Sequence, residues 1–337
     1  MNIADFNTLV VCKTFNQSRF ITDALNGFAM QKTDFSYVCL VIDDASTDGE
    51  QEVIRAFLNR ECLMDKAEHF DHELADIVIA GHKTNSNCKF AVYFLKENLY
   101  NTDKKRPLVE EWQAHCEYTA LCEGDDYWTD PLKLQRQVDY LNKHPEIDIC
   151  AHSCLIINMQ SGQTSYNSVE NKELIIPAEE VIIGGGNFVG TATLFFRRSI
   201  DENLSKFREY LNMDYSIQID GSIRGGMGYL PYCMSTYRYM VPDSWSSRTT
   251  DSPEYLSFLK AKKEMFSILD SEYNGRFHNA IMARMLKDEI SMNGSGRKNR
   301  ESLKKYSEGF RILPLKAKIR ILMKCYTFDI CNLLNIK

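Results

Sequence analysis

The chain has 337 residues, enough for two domains at the usual ~150 residues each, or for one large domain with an extension. Hydrophobic residues make up 44% and charged residues 26%, ordinary globular values that exclude disorder, a collagen repeat and a coiled coil. The net charge of −6 sums unlike parts. Residues 297–337 carry eleven Lys or Arg against three Asp or Glu, a local +8 that leaves −14 on the rest. An acidic body argues against nucleic-acid binding and sets the basic tail apart.

No apolar run approaches the ~18 residues that span a bilayer. Met1 to Phe15 has no basic stretch ahead of Leu9-Val10-Val11, so no secretory signal is expected. The eleven cysteines are odd in number and form no Cys-x-x-Cys pair. Cys12, Cys39, Cys122 and Cys150 stand in apolar, strand-like runs, where a thiol acts as a small buried hydrophobe. Free thiols in a reducing cytoplasm are the expectation.

In chain order, Thr8–Cys12 reads as a strand, and Ser18 as the cap of a helix with Phe20, Ile21, Ala24, Leu25 and Phe28 on one face. Tyr37–Ile42 reads as a second strand ending in Asp43-Asp44. Thr47-Asp-Gly-Glu50 has the capping-box pattern, with Val53, Ile54, Phe57 and Leu58 as the helical stripe behind it. Strands are predicted at Asp76–Ala80, Phe90–Leu95 and Tyr118–Cys122, and the polar stretch 59–73 reads as an insertion or a surface helix. Pro131 opens a helix carrying Leu134, Val138 and Leu141 that stops near His144-Pro145. Strands follow at about 147–158, 191–197 and 228–240. From Pro253 the pattern is helical, and Gly294-Ser-Gly296 is the clearest linker. Such alternation predicts an α/β sandwich around a mostly parallel sheet, in which ligands bind beyond the carboxyl ends of the strands.

Both acidic clusters fall at such ends. Thr14-Phe15-Asn16 follows the first strand and Asp43-Asp44 the second. Asp and Asn can accept hydrogen bonds from a base N–H or a ribose hydroxyl, and Phe15 can stack on a base; the same residues also suit a solvated turn. Cys122-Glu-Gly-Asp125-Asp126-Tyr-Trp128 follows a buried strand. Its carboxylates suit Mg²⁺ or Mn²⁺, which prefer oxygen ligands and leave positions open for a diphosphate. Asp214 precedes a helical segment and could take a proton from a hydroxyl, or simply favour a helix N-terminus. Three further patterns read as structural. Gly184-Gly-Gly186 with Gly190 lacks the residues of a phosphate loop, His69-x-x-His72 lacks a completing ligand set, and Lys104-Lys-Arg106 is a short basic loop.

Taken together, Val10–Asn16, Val41–Gly49, Ala120–Pro131, Gly190–Arg198 and the block from Met213-Asp214 to Tyr237-Arg238 resemble the inverting nucleotide-sugar glycosyltransferases of family 2, which have the GT-A fold. The resemblance covers about residues 1–250. It implies a nucleotide-binding half (1–126), an acceptor half (127–250) and a helical extension (251–337). It also implies that Thr14, Phe15, Asn16, Asp43, Asp44 and Asp125 bind the donor nucleotide of a UDP-sugar or similar donor. Asp125 and Asp126 would hold Mn²⁺ or Mg²⁺, with Glu123 in place of the family's usual first Asp. Asp214 aligns with the catalytic base, Thr191 would line the acceptor side and Trp245 would belong to a mobile lid. The family often has a His after the Tyr-Arg pair, where this chain has Tyr239-Met240. The implied acceptor is a glycan or lipid-linked saccharide of bacterial surface-polysaccharide assembly. A sugar-nucleotide nucleotidyltransferase and a non-catalytic sugar-nucleotide scaffold are the alternatives.

In the tail, Leu315, Ile319, Leu322, Tyr326, Ile330 and Leu333 form a helical stripe beside Lys316, Arg320 and Lys324. The pattern suits a helix lying on the inner face of an anionic membrane, or a terminal helix packed on the catalytic domain.

Overall fold

The computed structural model describes residues 3–333 except Asn101, Asp243, 249–252 and 294–295. Side chains 327–333 and those of Trp245, Pro253 and Glu254 also lie outside the described residues. The chain divides into two compact units. The first is Met1–Ile176, Phe188–Asn203 and Gly221–Thr250; the second is Pro177–Asn187, Leu204–Asp220 and Asp251–Lys337.

The first unit is built on a mixed sheet. Its strands are β1 (Phe6–Thr14), β2 (Tyr37–Asp43), β3 (Glu68–Asp71), β4 (Ala75–Gly81), β5 (Cys88–Leu95), β6 (Cys116–Leu121), β7 (Tyr127–Trp128), β8 (Ile149–Asn158), β9 (Thr164–Asn167), β10 (Leu174–Ile176), β11 (Phe195–Arg197) and β12 (Met227–Tyr239). The order is β10-β12-β8-β11-β6-β1-β2-β5-β4-β3, with β7 on β12 and β9 on β8. The centre is parallel: β6 and β2 flank β1, and β5 joins β2. All seven residues of β2 are buried, the continuous apolar run of a strand covered on both faces. One face packs Val10, Val41, Phe57 and Phe90, the other Leu9, Leu40, Tyr93 and Trp112. The covering helices are α1 (Ile21–Ala29), α2 (Glu50–Glu61), α3 (Arg106–Gln113) and α4 (Lys133–Lys143).

Several expectations are corrected. Residues 59–73 are not an insertion: α2 runs to Glu61, and Glu68–Asp71 is a strand paired antiparallel with β4, so His69 lies on a strand. Ser18 does not cap α1, whose N-cap is Phe20 without a side-chain bond. The capping box does not form either. Gly49 is the N-cap of α2 at φ 90°, and Glu50 turns inward. Thr191–Thr193 is a short 3₁₀ turn ahead of β11.

Helices α5 (Ala178–Gly184), α6 (Ser199–Glu202), α7 (Lys206–Tyr210), α8 (Asp214–Ser222) and α9 (Trp245–Arg248) follow in chain order. They lead to α10 (Pro253–Glu272), α11 (His278–Met292), α12 (Arg297–Lys305), α13 (Ser307–Ile312) and α14 (Leu315–Leu333). In the second unit Arg284 Nη1 donates to the Gly184 carbonyl at 3.0 Å and Lys287 Nζ to the Ile183 carbonyl at 2.8 Å. The Gly184–Gly186 turn is thus the end of α5, its free carbonyls met by cations. The tail forms α14, but its docked face is Ala317, Ile321 and Cys325. The predicted stripe residues Leu315, Ile319, Leu322 and Tyr326 are exposed; the side chains of Ile330 and Leu333 lie outside the described residues.

Candidate active site at the carboxyl ends of the sheet

The parallel register brings the predicted segments to one edge of the first unit. Thr14 pairs with Asp43 at the ends of β1 and β2, and Val11 with Leu121 near the end of β6. Beyond the strands, the Cys122 amide donates to the Val11 carbonyl and the Gly124 amide to the Lys13 carbonyl, at 3.1 and 3.3 Å. The carboxylate loop is therefore pinned along β1. Gly124 is required there, since a Cβ would stand 2.1 Å from Thr14 Oγ1.

The first two loops are knitted together by side chains. Asn16 adopts φ 54°, a left-handed conformation that Asn tolerates. Its Oδ1 accepts the Thr47 amide at 2.8 Å and its amide donates to Ser46 Oγ at 2.9 Å. Phe15 is left 44% exposed at the edge, an apolar face available for stacking. Glu50 is fully buried and accepts the Gln17 amide at 2.8 Å, the Ser46 hydroxyl at 2.9 Å and the Thr14 hydroxyl. Burial pushes its carboxyl up, and these donors offset only part of the shift. The sequence reading missed Glu50 as a brace, because its position in Thr-Asp-Gly-Glu matched a helix cap instead.

Asp43 and Asp44 have separate surroundings. Asp43 is fully buried, with Oδ1 accepting the Gln51 side-chain amide at 2.6 Å and the Ser46 amide at 3.2 Å. Asp44 accepts the Leu99 amide at 2.7 Å and forms a part-buried ion pair with Lys105. Lys105, read as part of a solvated basic loop, is the counter-charge of a predicted site residue.

At the end of β6, Asp125 and Asp126 are 7% and 1% exposed, while Glu123 faces solvent. Asp126 Oδ1 accepts the Arg238 amide of β12 at 2.9 Å. The Arg238 guanidinium donates to the Asp125 carbonyl at 2.8 Å and pairs with Asp23. It also lies over the Tyr127 ring at 4.3 Å. Burial pushes Asp125 up, and pushes Asp126 well up with the Asp125 and Glu123 charges adding to the rise; the nearby Arg238 only partly opposes it. Such a pair disfavours its own ionised form, and Arg238 supplies only part of the opposing positive charge. Among the described residues no three His, Cys, Asp or Glu side chains are grouped to hold a metal. Two hard carboxylates whose charge is only partly compensated still fit a divalent cation of the kind that takes one or two protein carboxylates, completing its shell with phosphate and water.

The turn predicted to line the acceptor side adjoins this loop. Trp128 Nε1 donates to the Ala192 carbonyl at 3.1 Å, which sets Thr191 next to the strand that follows Asp126. Behind Trp128, fully buried Lys133 lies 4.0 Å over its ring and donates to Gln137 Oε1 at 2.7 Å. Burial lowers this amine to about 7. The Trp245 backbone opens α9, and Ser246 Oγ accepts the Met240 amide at 3.1 Å. Arg248 of the same helix lies 5.1 Å over the Tyr100 ring.

Asp214 belongs to the second unit. It is the first residue of α8, and its Oδ1 accepts the Tyr215 amide at 2.6 Å. Tyr215 is buried and donates to the Ile182 carbonyl at 2.6 Å, which anchors the helix start to α5.

The strand order, with its parallel centre and acidic strand ends, is that of a GT-A fold, and solved structures show the same. The S. aureus TarS 1–349 structure in complex with UDP-GlcNAc aligns at a TM-score of 0.57 and 16% identity, over 83% of this chain and 71% of that one. TarS 1–349 in complex with UDP aligns at 0.56 over the same shares, again at 16% identity. No family model matches the chain. Its curated relatives include the uncharacterized proteins Rv1520 of Mycobacterium tuberculosis and Mb1547 of Mycobacterium bovis, each 29% identical over 248 residues. The match takes in 73% of this chain and 62% of theirs, so the chain spans under two thirds of the length of these relatives.

Proposed function

We propose that the chain is an inverting glycosyltransferase that moves a sugar from a nucleotide-sugar donor to a hydroxyl of a glycan or lipid-linked acceptor, as in bacterial surface-polysaccharide assembly. The observation that carries this reading is the convergence of Thr14–Asn16, Asp43-Asp44 and Glu123–Asp126 on one edge of a GT-A sheet. The TarS structure that shares the fold holds UDP-GlcNAc, which supports a UDP-sugar as donor. Phe15 stacks on the base, while Asn16 and the Asp44 loop meet the base and ribose. Asp125 and Asp126 are the residues that would hold Mn²⁺ or Mg²⁺, and such an ion would supply positive charge opposite the diphosphate.

The chemistry asked of the chain's own groups is a single displacement. Asp214 takes the proton of the acceptor hydroxyl. The oxygen forms its bond to the anomeric carbon as the bond to the diphosphate oxygen breaks, and the nucleoside diphosphate leaves with that electron pair. Thr191 lines the acceptor side, and the segment of Trp245 acts as the lid. The reading makes the protein cytoplasmic, with the inner face of the plasma membrane as the place of a lipid-linked acceptor.

The test is a titration of the protein with UDP-GlcNAc and other nucleotide sugars, with and without Mn²⁺, followed by product analysis with an acceptor. Release of a nucleoside diphosphate is expected. Pyrophosphate release would instead identify a nucleotidyltransferase, and binding without turnover a scaffold. Asp214→Asn is expected to lower turnover by about 10²–10⁴ while nucleotide binding stays near wild type; turnover within a few-fold of wild type rejects Asp214 as the base.

A further inference from the structure

Among its described residues, helix α14 has one docked apolar face and a second that is largely exposed. Ala317, Ile321 and Cys325, at steps of four, pack into the cluster formed with Ala283, Leu286, Ile290, Tyr306 and Leu313. Helix α12 ties the same side down. Asn299 Nδ2 donates to the Lys324 carbonyl and Arg300 Nη1 to the Cys325 carbonyl, both at 3.2 Å. With that face docked, Leu315, Ile319, Leu322, Met323 and Tyr326 stand 73%, 49%, 39%, 59% and 42% exposed. At 3.6 residues per turn they fill an arc of about 100° on the opposite side of the helix. Ile312, at the end of α13, is 44% exposed just before them. Contiguous apolar exposure of this kind marks an interaction surface.

The margins of the arc are basic. Lys316, Arg320 and Lys324 recur at steps of four along one side, and Lys318 lies on the other. From Gly309 to Tyr326 there are five Lys or Arg and no Asp or Glu. A second copy of this chain is a poor occupant, because an isologous contact would set the basic margins against themselves. An anionic bilayer surface satisfies both features at once. Its acyl region takes the apolar arc, and its headgroups take the ammonium and guanidinium ends that long side chains carry outward. No helix of the described residues is long and apolar enough to cross a membrane, so the contact is a helix lying in the interface.

We infer that the outward face of α14 docks the protein on anionic phospholipid, through Leu315, Ile319, Leu322, Met323 and Tyr326 seated between Lys318 and the Lys316–Arg320–Lys324 row. The inference concerns a surface of the second unit and stands apart from the proposed transfer reaction.

The test is flotation of the full chain with vesicles of phosphatidylcholine alone and of phosphatidylcholine mixed equally with phosphatidylglycerol. Binding to the mixed vesicles is expected, and it should fall as salt is raised. L315E/I319E/M323E is expected to weaken it by about tenfold or more, and K316E/R320E/K324E to remove the preference for phosphatidylglycerol. All six positions are exposed, so both variants should keep the wild-type melting temperature, which is checked alongside. Absence of wild-type binding to the mixed vesicles overturns the inference. So does flotation of L315E/I319E/M323E equal to wild type. Concentration-dependent dimers in sedimentation, abolished by L315E/I319E/M323E, overturn it in favour of a contact between copies.

Discussion

Two buried acidic strand ends flank β1 on the sheet, and they are completed differently. At the end of β2, Asp44 is answered by the protein itself, through the Leu99 amide and the Lys105 ammonium. At the end of β6, Asp126 receives the Arg238 amide, while the Arg238 guanidinium is directed to Asp23 and to the Asp125 carbonyl. Burial, with the Asp125 and Glu123 charges adding at Asp126, keeps both carboxyls protonated above the usual carboxylate range, and Arg238 offsets only part of this. A carboxylate completed from within braces a loop. One left short of positive charge is suited to receive it from outside, as it would with the proposed donor and ion.

The largest test of this contrast exchanges the charges. Asp126→Asn is expected to abolish the Mn²⁺ dependence of nucleotide binding and to lower turnover by about 10³. Asp44→Asn should keep the Mn²⁺ response, as read by calorimetry. The pH dependence without metal has a defined sign. The folded state keeps the Asp125 and Asp126 protons to higher pH than the unfolded chain does. Stability is therefore fullest below the ordinary carboxylate range and declines as pH rises through the raised values. Asp126→Asn should flatten that decline, and Mn²⁺ should reverse it in the wild type. A decline of equal slope in both proteins would break the contrast.

A smaller effect sharpens it by asking whether Lys133 is the missing cation. This amine is held at about 7 by burial, against ~10.4 in an unfolded chain. Between those values the unfolded chain binds the additional proton, so stability should rise with pH from about 7 to about 10. Lys133→Met is expected to remove that rise. At pH 7 it should stabilise the fold by about 2 kcal/mol, after allowing for the donor that Gln137 loses. Denaturant unfolding across this range checks both. A stability loss at pH 7 would instead cast Lys133 as a charge that the carboxylate loop needs.

The smallest effect probes the completed end. Asn16→Ala removes the bond to the Thr47 amide and leaves a left-handed residue without the side chain that tolerates it. A loss of about 1–2 kcal/mol is expected, equal with and without Mn²⁺ because no charge is missing there. A loss that disappears on adding Mn²⁺ would show the two ends to be coupled.

Much of the fold was legible because its signals are local. The apolar run of β2 and the acidic turns at the ends of β2 and β6 can be read from neighbours in sequence. Glu50 was read as a helix cap, since Thr-Asp-Gly-Glu cannot show whether its carboxylate turns back to the helix start or across to Thr14 and Gln17. Residues 68–71 were hidden for the same kind of reason: a four-residue polar strand is defined by its partner β4. Arg238 and Lys105 could be counted as charges, but their acidic partners lie 112 or more and 61 residues away in sequence for the bonds to Asp126 and Asp44.

The sequence by itself determined the alternation of strands and helices, the placing of carboxylates after buried strands, and a basic, amphipathic tail, because hydrophobic period and turn chemistry act over a few residues. Only the tertiary structure decided which carboxylates are neutralised from within. It also decided which face of α14 docks, a choice the periodicity left open because apolar residues line both sides of that helix. Burial and pairing depend on elements brought together from distant parts of the chain, and it is burial that gives a carboxylate or an apolar stripe its chemical consequence.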